Sequence, residues 1–95
     1  MAQLYREKIK HVEAMQWSGG LTAARPIIDW VVLNGGTCRY VSAANGMPEY
    51  LDITSPTMAG NSVIAAAQDW VMMDGRRRFD TMKPDVFAQN WEIVP

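Results

Sequence analysis

The chain has 95 residues, about half of them apolar, and its nine basic and ten acidic residues leave a net charge of -1. That length fits one domain, and a balance so close to neutral gives no global field to gather DNA, RNA or anionic lipid. The lone cysteine, Cys38, excludes an internal disulfide and suits a reducing compartment. The opening Met-Ala-Gln-Leu-Tyr-Arg-Glu-Lys lacks an apolar signal core, and no apolar run reaches bilayer length, so the expectation is a soluble protein of the cytoplasm.

Residues 9 to 17 place Val12 and Ala14 on one face and Met15 and Trp17 on the other, the pattern of a strand covered on both sides and so central in its sheet. After Ser18-Gly19-Gly20, the spacing predicts a helix over residues 23 to 34, with Pro26 in its first turn and Gly35-Gly36 as its stop. Ile27, Ile28, Trp30, Val31, Val32 and Leu33 leave Asp29 as the only charge between Pro26 and Asn34. A helix lying on a core keeps about half its circumference polar. This one is either enclosed between sheet and loops or meets another subunit.

Two strand segments follow, Cys38 to Ala43 and Tyr50 to Thr54, joined around Asn45-Gly46, a pair suited to the positive φ angles of a hairpin turn. In the second, Leu51 and Ile53 point one way and Tyr50, Asp52 and Thr54 the other. Ser62 to Ala65 is a short apolar strand. Residues 69 to 73 and 76 to 82 flank Asp74-Gly75. A two-residue loop there sets Met73 against Arg76, Met72 against Arg77, Val71 against Arg78 and Trp70 against Phe79. The last is a cross-strand aromatic pair worth roughly 0.5 to 1 kcal/mol beyond burial. Lys83-Pro84-Asp85 opens a single helical turn with proline first and an acid near its positive end, and Trp91 to Val94 closes as a strand. The sum is one α+β domain over residues 1 to 95, a curved antiparallel sheet of about five to six strands packed against one main helix.

All four tryptophans follow a short polar side chain: Gln16-Trp17, Asp29-Trp30, Asp69-Trp70 and Asn90-Trp91. In strands such neighbours face opposite sides, which makes Trp17, Trp70 and Trp91 core anchors. Trp30 lies on the helix and, with Leu33, is the candidate for contact with a partner protein.

Tyr5-Arg6-x-Lys8, followed by Val12-Glu13-Ala14-Met15-Gln16-Trp17-x-Gly19, resembles the start of a family of small tailed-phage and prophage proteins. The similarity continues through Asp69-Trp70-Val71, the Gly75 hairpin, Lys83-Pro84-Asp85-Val86-Phe87 and Asn90-Trp91-Glu92. Members carry a proline-glycine-aspartate-tyrosine type of turn, and some are called PGDYG-like. Here Ala67-Gln68 stands where the pattern has proline and glycine, and Ile9 where proline is common. The resemblance spans nearly the whole chain and implies a phage origin and a fold; Trp17, Trp70, Phe87 and Trp91 lie in the matching segments and, with Phe79 of the expected aromatic pair, are the fold-defining positions. It implies no reaction, and no catalytic residue carries over.

Chemistry is sparse. His11 and Cys38, the only residues of their kinds, share no local signature of a nucleophile and its base, and one of each cannot complete a soft metal site. Glu13, Asp52, Asp69 and Asp80 have no calcium-loop spacing. The register above sets Asp69 opposite Asp80 with Arg78 as same-face neighbour, a solvated charge patch, and Asp69 also suits capping the turn before its strand. Arg76-Arg77-Arg78 is the one charge run. Its plain reading is a charged edge against strand aggregation; its functional one is an anion or partner contact through Arg76 and Arg78. Without interleaved aromatics the run argues against nucleic acid, and no glycine-rich phosphate loop is present.

These observations favour a non-enzymatic phage accessory protein that binds another protein, itself or one of a bacterial host, without cofactor or membrane. The over-apolar helix supports this, as do Met47, Met58, Met72 and Met73 as adaptable contacts, although methionines also fill cores. The alternative is a binder of a small ligand or nucleotide that uses Arg76, Arg78 and an aromatic such as Tyr40 or Tyr50.

Overall fold

The computed structural model describes residue 2, residues 12–56 and residues 61–92. Ile9, His11, Met58 and the Tyr5-Arg6-x-Lys8 opening lie outside the described residues. In chain order the elements are β1 (Glu13–Gln16), α1 (Gly20–Leu33), β2 (Thr37–Val41), β3 (Tyr50–Thr54), β4 (Ser62–Ala65), β5 (Trp70–Met73), β6 (Phe79–Met82) and α2 (Pro84–Asn90).

The α+β composition agrees with expectation, but the strands form two three-stranded antiparallel sheets, β1-β5-β6 and β2-β3-β4, instead of one curved sheet. The edges of β4 and β6 meet through side chains. Thr81 Oγ1 donates to the Ile64 carbonyl at 3.1 Å, and the Phe79 N–H at the start of β6 goes to Ser55 Oγ at 2.8 Å. A donor taken by a hydroxyl no longer serves a ladder between sheets. Among the described residues β5 holds the centre of its sheet, a place expected for β1, and Val71, Met72 and Met73 are all buried.

α1 begins three residues before the expected position 23. Gly19 and Gly20 take φ of 100° and 81°, turning the chain, and Glu49 Oε1 accepts the Gly20 N–H at 3.0 Å. A carboxylate there meets the positive end of the helix. Pro26 therefore stands in the second turn, on the exposed side, where the N–H it lacks would have bonded the Thr22 carbonyl. The C-terminus closes as the glycines foretold. Gly35 has φ 88°, and its N–H and that of Gly36 reach the Val32 and Val31 carbonyls at 2.9 and 3.0 Å, the Schellman pattern.

The β2–β3 hairpin turns at Asn45-Gly46, with φ of 52° and 78°, and Ala44 pairs with Met47 in the register that sets Val41 opposite Tyr50. Leu51 and Ile53 are buried, as their alternation requires.

The β5–β6 hairpin departs from the expected register. Met73 faces Phe79 and Trp70 faces Met82, so the loop spans residues 74 to 78. Asp74 explains this: its Oδ1 accepts the Arg76 and Arg78 N–H groups at 2.8 and 3.1 Å, while Arg77 turns through φ 60°. A side chain that ties down two backbone donors makes the wider loop the stable one. The Trp70–Phe79 pair is consequently not formed, and Asp80 faces Met72 instead of Asp69.

α2 runs to Asn90, longer than a single turn, with Pro84 and Asp85 placed as expected. Trp91 is extended, but Trp91 and Glu92 belong to no strand, and residues 93–95 lie outside the described ones.

One core serves both sheets. Trp17, Ala24, Ile27, Val31, Leu51, Ile53, Ala65, Val71, Met73 and Phe79 form a single buried cluster, with Trp17 fully enclosed.

Candidate functional site

α1 turns Ala24, Ile27 and Val31 into the core and leaves Leu21, Val32 and Leu33 at the surface, Leu33 with 84% of its area exposed. The helix is thus enclosed on one side only. Trp30 is half-buried, with its ring edge-on to Phe79, centroids 5.4 Å apart and planes at 89°. The two residues singled out for partner contact therefore differ in setting: Trp30 packs on the core, and Leu33 projects from it.

Arg76, Arg77 and Arg78 are all exposed, and none belongs to an ion pair among the described residues. They sit in a loop, so strand alternation does not separate Arg77 from the other two. The Arg78 and Arg76 N–H groups, with their guanidinium charges, hold the Asp74 carboxyl below its ordinary pKa. The loop is thus built on an acid that stays ionised.

The fold brings the helix end and the arginine loop together. Asn34, which follows Leu33, and Arg77 line one open cavity of about 260 Å³ with Glu13, Met73, Asp74 and Gly75. Residues far apart in the chain thus meet at a shallow recess, with Arg77 in its lining and Leu33 next in sequence to the Asn34 that lines it. Two carboxylates in the lining oppose an anion, and the volume is below the roughly 300 Å³ at which pockets begin to enclose drug-sized ligands. Neither Tyr40 nor Tyr50 lines it.

Tyr40 is otherwise engaged. Its hydroxyl donates to Glu49 Oε1 at 2.8 Å, which raises its pKa, and its ring meets Trp17 edge-on at 6.1 Å. Trp17 Nε1 in turn donates to the Gly20 carbonyl at 3.0 Å. Glu49 thus joins the start of α1 to β2, a structural role the sequence did not announce because its partners lie nine and 29 residues away.

Asp69 is buried and caps its turn: its Oδ2 accepts the Ala66 N–H at 3.0 Å and Lys83 Nζ at 3.1 Å. Its cation is Lys83, not Arg78. Of the methionines named as contacts, Met72 and Met73 are buried and Met47 is exposed. Burial, and then the charge of Asp52, pushes the Cys38 thiol up to about 11, which leaves it a protonated, inert group at neutral pH.

Among the described residues no three His, Cys, Asp or Glu side chains cluster as a metal site would require, and no helix is long and apolar enough to cross a membrane. Comparison with known protein families, curated proteins and solved structures gave no match.

Leu21 and Arg25 are surface residues that no motif marks in the sequence. Helical spacing from the buried Ala24, Ile27 and Val31 is the signal that places both outward.

Proposed function

We propose that this chain is a non-enzymatic accessory protein of a tailed phage or prophage that acts in the bacterial cytoplasm by associating with another protein, a second copy included. The phage assignment rests on the resemblance carried by Val12 to Gly19, Asp69 to Val71 and Lys83 to Glu92. The association reading is carried by one observation: α1 leaves Leu21, Val32 and Leu33 exposed while its opposite face is fully used by the core. Exposed apolar side chains at both ends of one helix, with the exposed Arg25 between them, match the anatomy of a contact surface. Arg76, Arg77 and Arg78, whose loop reaches the cavity that Asn34 also lines, suit an acidic rim on the partner and fix its orientation.

Light scattering of the protein tests this, alone and with any partner in hand. Val32→Asp combined with Leu33→Asp abolishes association and barely moves the melting temperature, because exposed substitutions cost little folding energy. Association unchanged in that variant contradicts the reading.

A second reading, binding of a small anionic ligand or nucleotide, draws on Arg77, which lines the cavity, and on Arg76 and Arg78 of the same loop, none of them in an ion pair among the described residues. On that reading Arg76→Ala with Arg78→Ala removes nucleotide-induced thermal stabilisation and leaves the unliganded melting point in place. A nucleotide panel that shifts no melting point rules it out.

A further inference from the structure

We propose that α1 is the interface of a symmetric homodimer, two copies of the helix lying antiparallel across a twofold axis. This rests on the association reading above and names the partner as a second copy of the chain.

Leu21, Arg25, Ile28 and Val32 follow one another at spacings of four, three and four residues. That is the repeat by which one helix presents a single seam to another. Since Ala24, Ile27 and Val31 are committed to the core, the seam lies to the outer side, with Leu21 and Val32 at 46% and 56% exposure and Ile28 half-buried at its edge. Leu21 lies at the start of α1 and Val32 in its last turn. Antiparallel alignment about the midpoint of the seam sets Leu21 of each copy against Val32 of the other, and Arg25 against Ile28. Leu33, on the adjoining line of the helix, widens the apolar contact.

Charge selects this alignment. Arg25 and Asp29 are the only charged residues of α1, both are exposed, and neither forms an ion pair among the described residues. Within one helix they stand four apart with the arginine first, the less favourable order. In the antiparallel dimer Arg25 of each copy falls within one residue of Asp29 of the other, about 1.5 Å along the helix axis, giving two equivalent ion pairs beside the axis, as an isologous interface requires. Parallel alignment would instead set like charges against each other. A pair of 14-residue helices makes a small contact, below about 1,200 Å². The dimer is therefore weak and concentration-dependent.

Two charge reversals test the geometry by sedimentation equilibrium. Arg25→Asp leaves two acids on α1 and Asp29→Arg leaves two arginines, so each variant alone repels its own copy. Each is expected to dimerise at least tenfold more weakly than the native chain, while an equimolar mixture restores dimerisation because every facing pair is again of opposite charge. Circular dichroism establishes that both variants fold, and recovery in the mixture requires that they do. Dimerisation unaffected by either reversal, or a mixture of folded variants that stays monomeric, overturns this interface and leaves association elsewhere standing. A native chain that is monomeric at every concentration overturns the homodimer, and the Val32→Asp, Leu33→Asp variant then decides association with a different partner.

Discussion

Trp70 stacks flat on Phe87, with ring centroids 4.1 Å apart and planes 8° from parallel. This contact holds α2 against β5, for no residue of α2 is itself buried. Lys83, at the N-cap of α2, adds its ion pair to the buried Asp69 at the start of β5. Phe87→Ala is expected to cost roughly 2 kcal/mol, the lost ring burial plus the pair's own attraction. Urea unfolding followed by tryptophan fluorescence reads this directly. A midpoint equal to that of the native chain would show that α2 docks by other means.

The loop of the β5–β6 hairpin depends on one carboxylate. Asp74→Ala frees the Arg76 and Arg78 N–H groups and is expected to lower stability by roughly 1 to 2 kcal/mol. The sign of its pH dependence follows from the depressed pKa: the contribution is present above the ordinary value of 3.8 and fades as pH falls through the lower folded value. Thermal melts at neutral and acid pH check both points, since the variant's deficit should shrink in acid.

Gln68 takes φ of 78°, a backbone form that costs a side-chain-bearing residue about 1 kcal/mol. Gln68→Gly gives up the exposed bond from Nε2 to the Ser18 carbonyl, yet should leave the protein as stable or slightly more so. Gln68→Val should lower stability by more than about 1 kcal/mol, because a β-branched side chain tolerates this conformation worst. Melting temperatures that rank the two variants the other way contradict the strain.

Elements whose signals are local were legible in the sequence. Tyr50–Thr54 occupies the residues its alternation marked, Ser62–Ala65 those of a short apolar run, and Asn45-Gly46 turns the chain as such a dipeptide should. What depended on distant partners was not. The start of α1 is set by Glu49, and the division into two sheets by Ser55 taking the Phe79 N–H. The β5–β6 register was misjudged because Asp74-Gly75 has the composition of a two-residue turn, while the Asp74 side chain favours a wider one. At the candidate site, Leu33 and the arginines stood out individually. That Asn34 and Arg77 line one cavity follows from the five-residue loop and the Schellman end of α1, which no periodicity encodes.

Cys38 should be unreactive while the protein is folded. With its thiol pushed up to about 11, alkylation by iodoacetamide at pH 8 is expected to be slow, and fast once denaturant unfolds the chain. Because the folded value lies above the ordinary 9.0, the group's contribution to stability is complete below pH 9 and is lost as pH rises from 9 to 11. Asp52→Asn removes one of the two causes and should bring the thiol partway down. Equal alkylation rates in the folded and unfolded states would contradict the burial.

The outer face of α1 is proposed as the place where one copy of this chain meets another. Backbone amide chemical shifts measured across a dilution series test it residue by residue. Concentration-dependent shifts are expected at Leu21, Arg25, Ile28, Val32 and Leu33, with β3 and β4 unmoved. Shifts that stay constant over the whole series, or that gather on another face, would contradict it.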